Sequence, residues 1–360
     1  MTALWHRARP WLAVDLPLAL CVFLLLGAGL VTLYSAGMDF PGRFALQLRN
    51  ILIALAIMWT AANISPERMM RLAPAVYSAG VLMLLGVFLI GISKKGAQRW
   101  LYLGFDFQPS EIMKIAMPLM LAWFFHRDAG ARRWQTFAMA ALLLLVPVAL
   151  IARQPDLGTA LLVLAAGFYV ILLAGLSWRA LAALALAALA AIPLAWPFLH
   201  DYQRHRVMTL LDPAGDPLGK GFQILQAGIA IGSGGVTGKG WMEGSQGKLG
   251  FIPERSTDFI FSVYAEEFGL AGNLILLVLY TLLIVRGLQI TARAGSPFAR
   301  LLAGAITMIF FTYAFVNIGM VSGIVPVVGV PLPFISYGGT ALMTLGLGCG
   351  ILMSIQRQSR

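Results

Sequence analysis

Phe251-Ile-Pro-Glu254-Arg255-Ser256-Thr257-Asp258-Phe259-Ile-Phe-Ser-Val-Tyr-Ala-Glu266-Glu267-Phe268-Gly269 closes a polar, glycine-rich segment that begins near His200 and opens a long apolar run. The spacing predicts a helix from about Thr257, so Asp258 would stand in its first turn, at a membrane surface, where the helix dipole favours an acid. Capping is one reading of Asp258. Against it, Ser256 or Thr257 would cap more economically, and the flanking residues are bulky and apolar. A carboxylate in that position is costly without a partner or a task, and the second reading is that it does chemistry.

Outward from this stretch the chain reads as lipid-embedded helix. Of 360 residues 59% are hydrophobic and 11% charged, against about 25% charged in soluble domains. Apolar runs near the roughly 20 residues of a spanning helix recur. Ten are read, at 15–36, 44–64, 72–92, 109–125, 135–151, 157–176, 180–199, 270–288, 301–322 and 338–355. His6, Arg7 and Arg9 ahead of the first run resemble a signal peptide, but no small-x-small cleavage site follows, so an uncleaved first span is expected. The formal charge of +11 is spread over short loops. That pattern fits the positive-inside rule and anionic headgroups, and excludes a nucleic-acid partner. With the N-terminus inside, the cytoplasmic segments hold Arg7, Arg9, Arg68, Arg71, Arg127, Arg132, Arg133, Arg179, Arg286, Arg293, Arg300, Arg357 and Arg360, with only Glu67 and Asp128 as acids. Both termini are therefore expected in the cytoplasm, and the one long loop, 200–256, outside and ordered. A single membrane domain without internal repeats accounts for residues 1–360. Cys21 and Cys349 lie in apolar runs, and His6, His126, His200 and His205 show no zinc spacing.

Several polar groups are not explained by hydropathy. Glu111 and Lys114 share a helix face, either as an internal ion pair or as the lining of a polar cavity opening outward, with Arg99 and Trp100 at its mouth. Arg153, Gln154 and Asp156 form a turn in which Asp156 caps the next helix or serves the same cavity. Arg49 is expected to snorkel. The run Ile231-Gly-Ser-Gly-Gly-Val-Thr-Gly238-Lys239-Gly240 fails the Walker pattern at Ser233 and Gly240. It is read as a tight turn, or as backbone beside Lys239 able to approach a pyrophosphate. The uncharged, proline-rich run from Val321 to Gly339 cannot be straight helix; such backbone is tolerated at membrane depth only when packed in protein or lining a cavity, and a re-entrant loop facing the same outer cavity is expected. Asn317, a turn before it, can bond across helices.

At these residues the chain resembles the SEDS family of membrane proteins, in its RodA type used in cell elongation. The resemblance spans nearly the whole chain. It is carried by Gly96-Ala-Gln-Arg-Trp100, Phe107-Gln-Pro-Ser-Glu111-Ile-Met-Lys114, Gln154-Pro-Asp-Leu-Gly158, Arg206-Val with Leu211-Asp-Pro and Asp216-Pro-Leu-Gly219, Ala230-Ile-Gly-Ser-Gly-Gly235, Pro253-Glu-Arg with Thr257-Asp258-Phe-Ile-Phe, and Gly329-Val-Pro-Leu-Pro-Phe-Ile-Ser-Tyr-Gly-Gly339. The resemblance implies an all-α polytopic fold of about ten transmembrane helices, with one long extracytoplasmic loop and an outward-facing polar cavity. It implies polymerisation of lipid II into glycan strands outside the cytoplasmic (inner) membrane. The implied partners are the nascent strand, a class B penicillin-binding protein and other elongation-complex membrane proteins. By resemblance Asp258 matches the family's essential aspartate, and Glu111 and Lys114 its cavity residues. Ser256 stands where many relatives have His, so a proton relay through that position is not expected.

The chemistry agrees. An α-pyrophosphate donor that yields a β-1,4 bond inverts at the anomeric carbon, and one-step inversion needs a base for the acceptor hydroxyl. Asp258 is the candidate. Lys114, Arg99, Arg206, Lys239 or a divalent cation (Mg or Mn) would stabilise the leaving pyrophosphate, Glu111 would position Lys114 or a metal, and Trp100, Asp156 and Ser336 complete the substrate-binding set. No nucleotide is needed. The rival readings are a lipid II flippase or transporter, which would need polar groups at several depths, a non-catalytic scaffold, and the division-specific FtsW type.

Overall fold

The structure, a computed structural model, describes residues 14–94, 97–102, 106–128, 134–198, 201–216 and 219–359. Arg7, Arg9, Arg132, Arg133, Arg360, His6, His200 and Gly96, named above, lie outside them. Each of the ten expected spans falls on a helix. They are α1 (Leu16–Ala36), α2 (Arg43–Ala62), α3 (Pro66–Ile90), α4 (Pro109–Arg127), α5 (Trp134–Arg153), α6 (Leu157–Leu173), α7 (Trp178–Ala195), α11 (Ile260–Arg293), α12 (Pro297–Val321) and α13 (Gly339–Gln358). Seven of them, α1, α2, α3, α5, α11, α12 and α13, are long and apolar enough to cross a membrane. α6 and α7 are shorter, and α4 carries Glu111 and Lys114 in its first turns.

Local chemistry starts these helices. Pro66, Pro109 and Pro297 occupy first-turn positions where a missing N–H is harmless. Asp15, Asp156, Ser177 and Ser296 cap their helices, accepting from Leu18, Thr159, Ala180 and Ala299 amides at 3.1–3.2 Å. The expected loop before α4 instead contains three short antiparallel strands, β1 (Ile92–Lys94), β2 (Ala97–Tyr102) and β3 (Asp106–Phe107). The described part of the long loop is helical in places. It holds α8 (Asp201–Leu211), α9 (Lys220–Ser233) and α10 (Ser245–Lys248), and α9 packs against α11 and α12.

α11 begins at Ile260, ten residues before the apolar span read at 270–288, and is broken at Gly269 (φ 62°). The break is a backbone clamp. Leu270 and Ala271 amides donate to the carbonyls of Gly235 and Val236, and those of Lys239 and Gly240 to Glu266 and Glu267, at 2.9–3.1 Å. The glycine-rich run is thus a structural wrap around the break. A Cβ at Gly238 (φ +82°) would meet the Glu267 carbonyl oxygen at 2.0 Å, whereas one at Gly235 (φ +56°) would meet nothing within 4 Å. Gly238→Ala is expected to cost about 3 kcal/mol, and Gly235→Ala only the left-handed penalty of about 1 kcal/mol. Thermal unfolding of the two purified variants checks this, and equal losses would dissolve the clamp.

α12 is the central helix, packed on α11, α6, α4 and α13. Around it α2 packs chiefly on α13, and α3 on α4. Consecutive α2 and α3 therefore splay from the short turn at 63–65 instead of packing together.

Candidate active site

Two irregular segments meet at the end of the bundle that carries the β-strands and the long loop. Residues 252–259 lead into α11, and 322–338 link α12 to α13. The second is largely buried in protein, through Val327, Val330, Leu332, Phe334 and Ile335, which satisfies irregular apolar backbone by packing. The two segments are laced together. Ser336 Oγ donates to the Thr257 carbonyl at 2.7 Å and accepts from the Leu332 amide at 2.7 Å, and the Tyr337 amide donates to the Ser256 carbonyl at 2.9 Å. Asn317, fully buried on α12, donates from Nδ2 to the carbonyls of Asp258 (2.8 Å) and Val330 (2.7 Å). Its Oδ1 is sealed from solvent without a protein hydrogen bond.

Asp258 sits in this lacing, partly exposed. α11 begins at Ile260, later than the expected Thr257, and its N-cap Phe259 makes no side-chain bond. Asp258 therefore lies one residue before the N-cap of the helix. Thr257 Oγ1 is turned to Glu254 Oε2 at 2.8 Å. A Cβ on Gly329 (φ +78°) would stand 3.3 Å from Asp258 Oδ2, so the carboxylate lies over bare backbone that only glycine leaves open. Next to it Ser256 accepts from Arg43, whose guanidinium is 3.7 Å from the Phe40 ring centroid and 5.1 Å from that of Tyr337. Arg43 escaped the sequence reading. Its signal was its place at the head of α2, directly after Gly42 (φ 80°).

Glu111 and Lys114 pair at 2.6 Å, both buried. The Lys114 ammonium lies 5.3 Å from the centre of the Tyr313 ring, and Thr344 Oγ1 donates to Glu111 Oε2 at 3.4 Å. Tyr313 and Asn317 are one turn apart on α12, so Lys114 and the Asp258 backbone rest on successive turns of one helix. The cavity here differs from the polar hollow expected. It is a groove of about 670 Å³ between α2, α3, α4 and α13, mostly apolar, with Arg49, Glu111, Thr340 and Thr344 as its polar groups. Glu111 lines it, while Lys114 is sealed behind. Arg49, expected only to snorkel, stands in its wall.

The remaining expected site residues are held elsewhere. Arg99 faces the 154–156 turn, donating to the carbonyls of Gln154 (3.2 Å) and Pro155 and pairing with Asp156 at 3.7 Å. Asp156 caps α6 and accepts from Gln108 Nε2 at 2.9 Å. Trp100 lies in β2, opposite Ile92. Lys239 is bound to fully buried Glu266 at 2.6 Å, and Ser245 and Gln246 amides complete that carboxylate's shell. Arg206 is on α8, which packs on α9 and the 213–215 turn, apart from the groove helices. Ser336 spends both its bonds on the lacing. Among the described residues no three acidic, His or Cys side chains gather as metal ligands. Glu111 and Asp156, the acids nearest the expected cavity, are paired with Lys114 and Arg99.

The fold and its polar end define an integral membrane protein of the polytopic helical class. The model of the FtsW, RodA and SpoVE family, described as cell cycle protein, matches residues 13–360. The chain belongs to that family. It is 52% identical over 340 residues, 94% of this chain and 92% of the other, to the peptidoglycan glycosyltransferase MrdB of Escherichia coli K12. Among solved structures it is similar to a chain from a peptidoglycan synthase complex that coordinates polymerization and crosslinking (36% identity, TM-score 0.83, covering 97% of this chain and 99% of that one). It is also similar to the rod shape determining protein RodA of Thermus thermophilus (32% identity, TM-score 0.73, covering 97% and 98%).

Proposed function

We propose that the chain is a peptidoglycan glycosyltransferase that polymerises lipid II by inverting transfer, with Asp258 as the base. The observation that carries the reading is the adjacency of two unlike features. One is a carboxylate on a laced irregular segment. The other is an apolar groove whose polar end begins at Gly339, two residues beyond Tyr337 of the same lacing. A lipid-linked glycan has that division: a polyprenyl tail for the groove, and a pyrophosphate and sugars for the end. Asp258 takes the proton of the acceptor 4-hydroxyl as that oxygen bonds to the donor's anomeric carbon. The bond from that carbon to the pyrophosphate oxygen breaks, and the electron pair leaves with the lipid pyrophosphate. Arg43 and Arg49 are the cations placed to meet the developing charge, and Glu111, held by Lys114, accepts from substrate hydroxyl or amide groups at the groove's end.

The 52% identity to a named peptidoglycan glycosyltransferase supports this reading, as does the likeness to a chain of a synthase complex, which also supports a crosslinking class B penicillin-binding protein as partner. The asymmetry of arginines supports both termini in the cytoplasm and Asp258 outside. Purified protein with that partner and labelled lipid II is expected to produce glycan strands. Transbilayer movement of lipid II in sealed vesicles without strand formation would instead establish the translocator.

A further inference from the structure

The groove has a second end. α2 runs 20 residues from Arg43 to Ala62, about 30 Å, so the turn at 63–65 lies a bilayer core away from Ser256 and Arg43. There a polar cavity of about 320 Å³ is lined by Asn63, Ile64, Ser65, Arg68, Arg357 and Gln358, among others. Ile64 lines both this cavity and the apolar groove. We propose that this end of the groove binds an anionic phospholipid of the leaflet opposite Asp258, its phosphodiester between Arg68 and Arg357 and an acyl chain rising past Ile64 only as far as the near end of the groove at Met69 and Leu72, the remainder being left to the polyprenyl tail.

Charge argues for an anion. Arg68 has no ion pair among the described residues, and Arg357 has only a 3.4 Å contact with Asn63 Oδ1. Glu67, the nearby acid, is outside the lining and accepts from Gln358 Nε2 at 2.9 Å. The cavity also meets the positive end of α3, a helix of 25 residues. Shape argues for a lipid as the source of the phosphate. The shared wall at Ile64 joins the basic cavity to apolar space, and the splay of α2 and α3 opens that space sideways, with Leu72 of its wall 54% exposed. Basic pockets between membrane helices recognise anionic headgroups for this reason.

Native mass spectrometry of the detergent-solubilised full chain, titrated with phosphatidylglycerol or phosphatidylcholine, tests the site. Two arginines are expected to favour phosphatidylglycerol by roughly tenfold to thirtyfold. Arg68→Gln/Arg357→Gln is expected to erase the preference, while Arg293→Gln/Arg300→Gln, which removes two charges elsewhere, keeps it. Leu72→Trp, which fills the groove wall, is expected to weaken both lipids. An unchanged preference in the Arg68/Arg357 variant, or loss of it in the Arg293/Arg300 variant, overturns the proposal. Displacement of the lipid by soluble glycerol phosphate would also overturn it, assigning the cavity to a free phosphate. Lipid retention is read without glycan synthesis, so its failure and that of the polymerase reading are separate results.

Discussion

Asp258→Asn is expected to lower glycan polymerisation by about two to four orders of magnitude, the usual contribution of a positioned general base, while the protein stays folded. The structural half of this expectation comes from what holds the residue. Asn317 binds the Asp258 backbone carbonyl, not its carboxylate, and α11 is capped at Phe259 without any side-chain bond. An amide of the same shape therefore fits over Gly329 and preserves the lacing between the two irregular segments. The chemical half follows from basicity. An amide cannot take the acceptor proton, so the loss is expected in kcat with the KM for lipid II little changed. The measurement is strand synthesis from labelled lipid II, with circular dichroism and thermal unfolding of both proteins. Normal strand formation by the Asn variant would remove Asp258 from the chemistry, and an unfolded variant would make it a structural residue.

The ten helical segments were legible because each is a long apolar run, bounded in several cases by Pro, Ser or Asp at its first turn. That signal is local. Asp156 illustrates its reach: its capping of α6 follows from sequence neighbours, but its bonds to Gln108 and Arg99 join residues about fifty positions apart. Lys239 shows the same limit, since its ion pair with Glu266 joins residues 27 positions apart. A lysine beside glycines reads as a free cation, and nothing local says that Glu266 is buried against it. Gly238 and Gly269 likewise make sense only together, since each removes a Cβ that the other's neighbourhood would meet. Arg43 escaped notice because, beyond its neighbour Phe40, its partners Ser256 and Tyr337 lie more than two hundred residues away. The groove was missed because hydropathy sees α2 and α3 as two adequate spans and says nothing of their splay. Asp258, Glu111 and Lys114 stood out in the sequence because they are ionisable groups in apolar surroundings, where placement alone carries information.

Lys114→Met is expected to be the most destabilising change in the bundle. It leaves the Glu111 carboxylate buried beside only the distant hydroxyl of Thr344 at 3.4 Å. An uncompensated buried charge costs about 3–5 kcal/mol, enough to be seen as loss of folded yield or a large fall in the unfolding midpoint. The double variant Glu111→Gln/Lys114→Met carries no charge to strand. Removing a whole buried pair is often nearly neutral, so its stability is expected to return close to that of the parent. Activity is expected not to return. Glu111 faces the groove and Lys114 fixes it there, so the double variant should polymerise about tenfold or more slowly despite being folded, the loss expected when a charged hydrogen-bond acceptor no longer positions substrate. The pair thus separates two roles that share one contact. Stability is expected to depend on neutralising the charge by any means, and turnover on a carboxylate at that place. A stable double variant with parental activity would assign the pair to packing alone and leave Asp258, Arg43 and Arg49 to account for the chemistry.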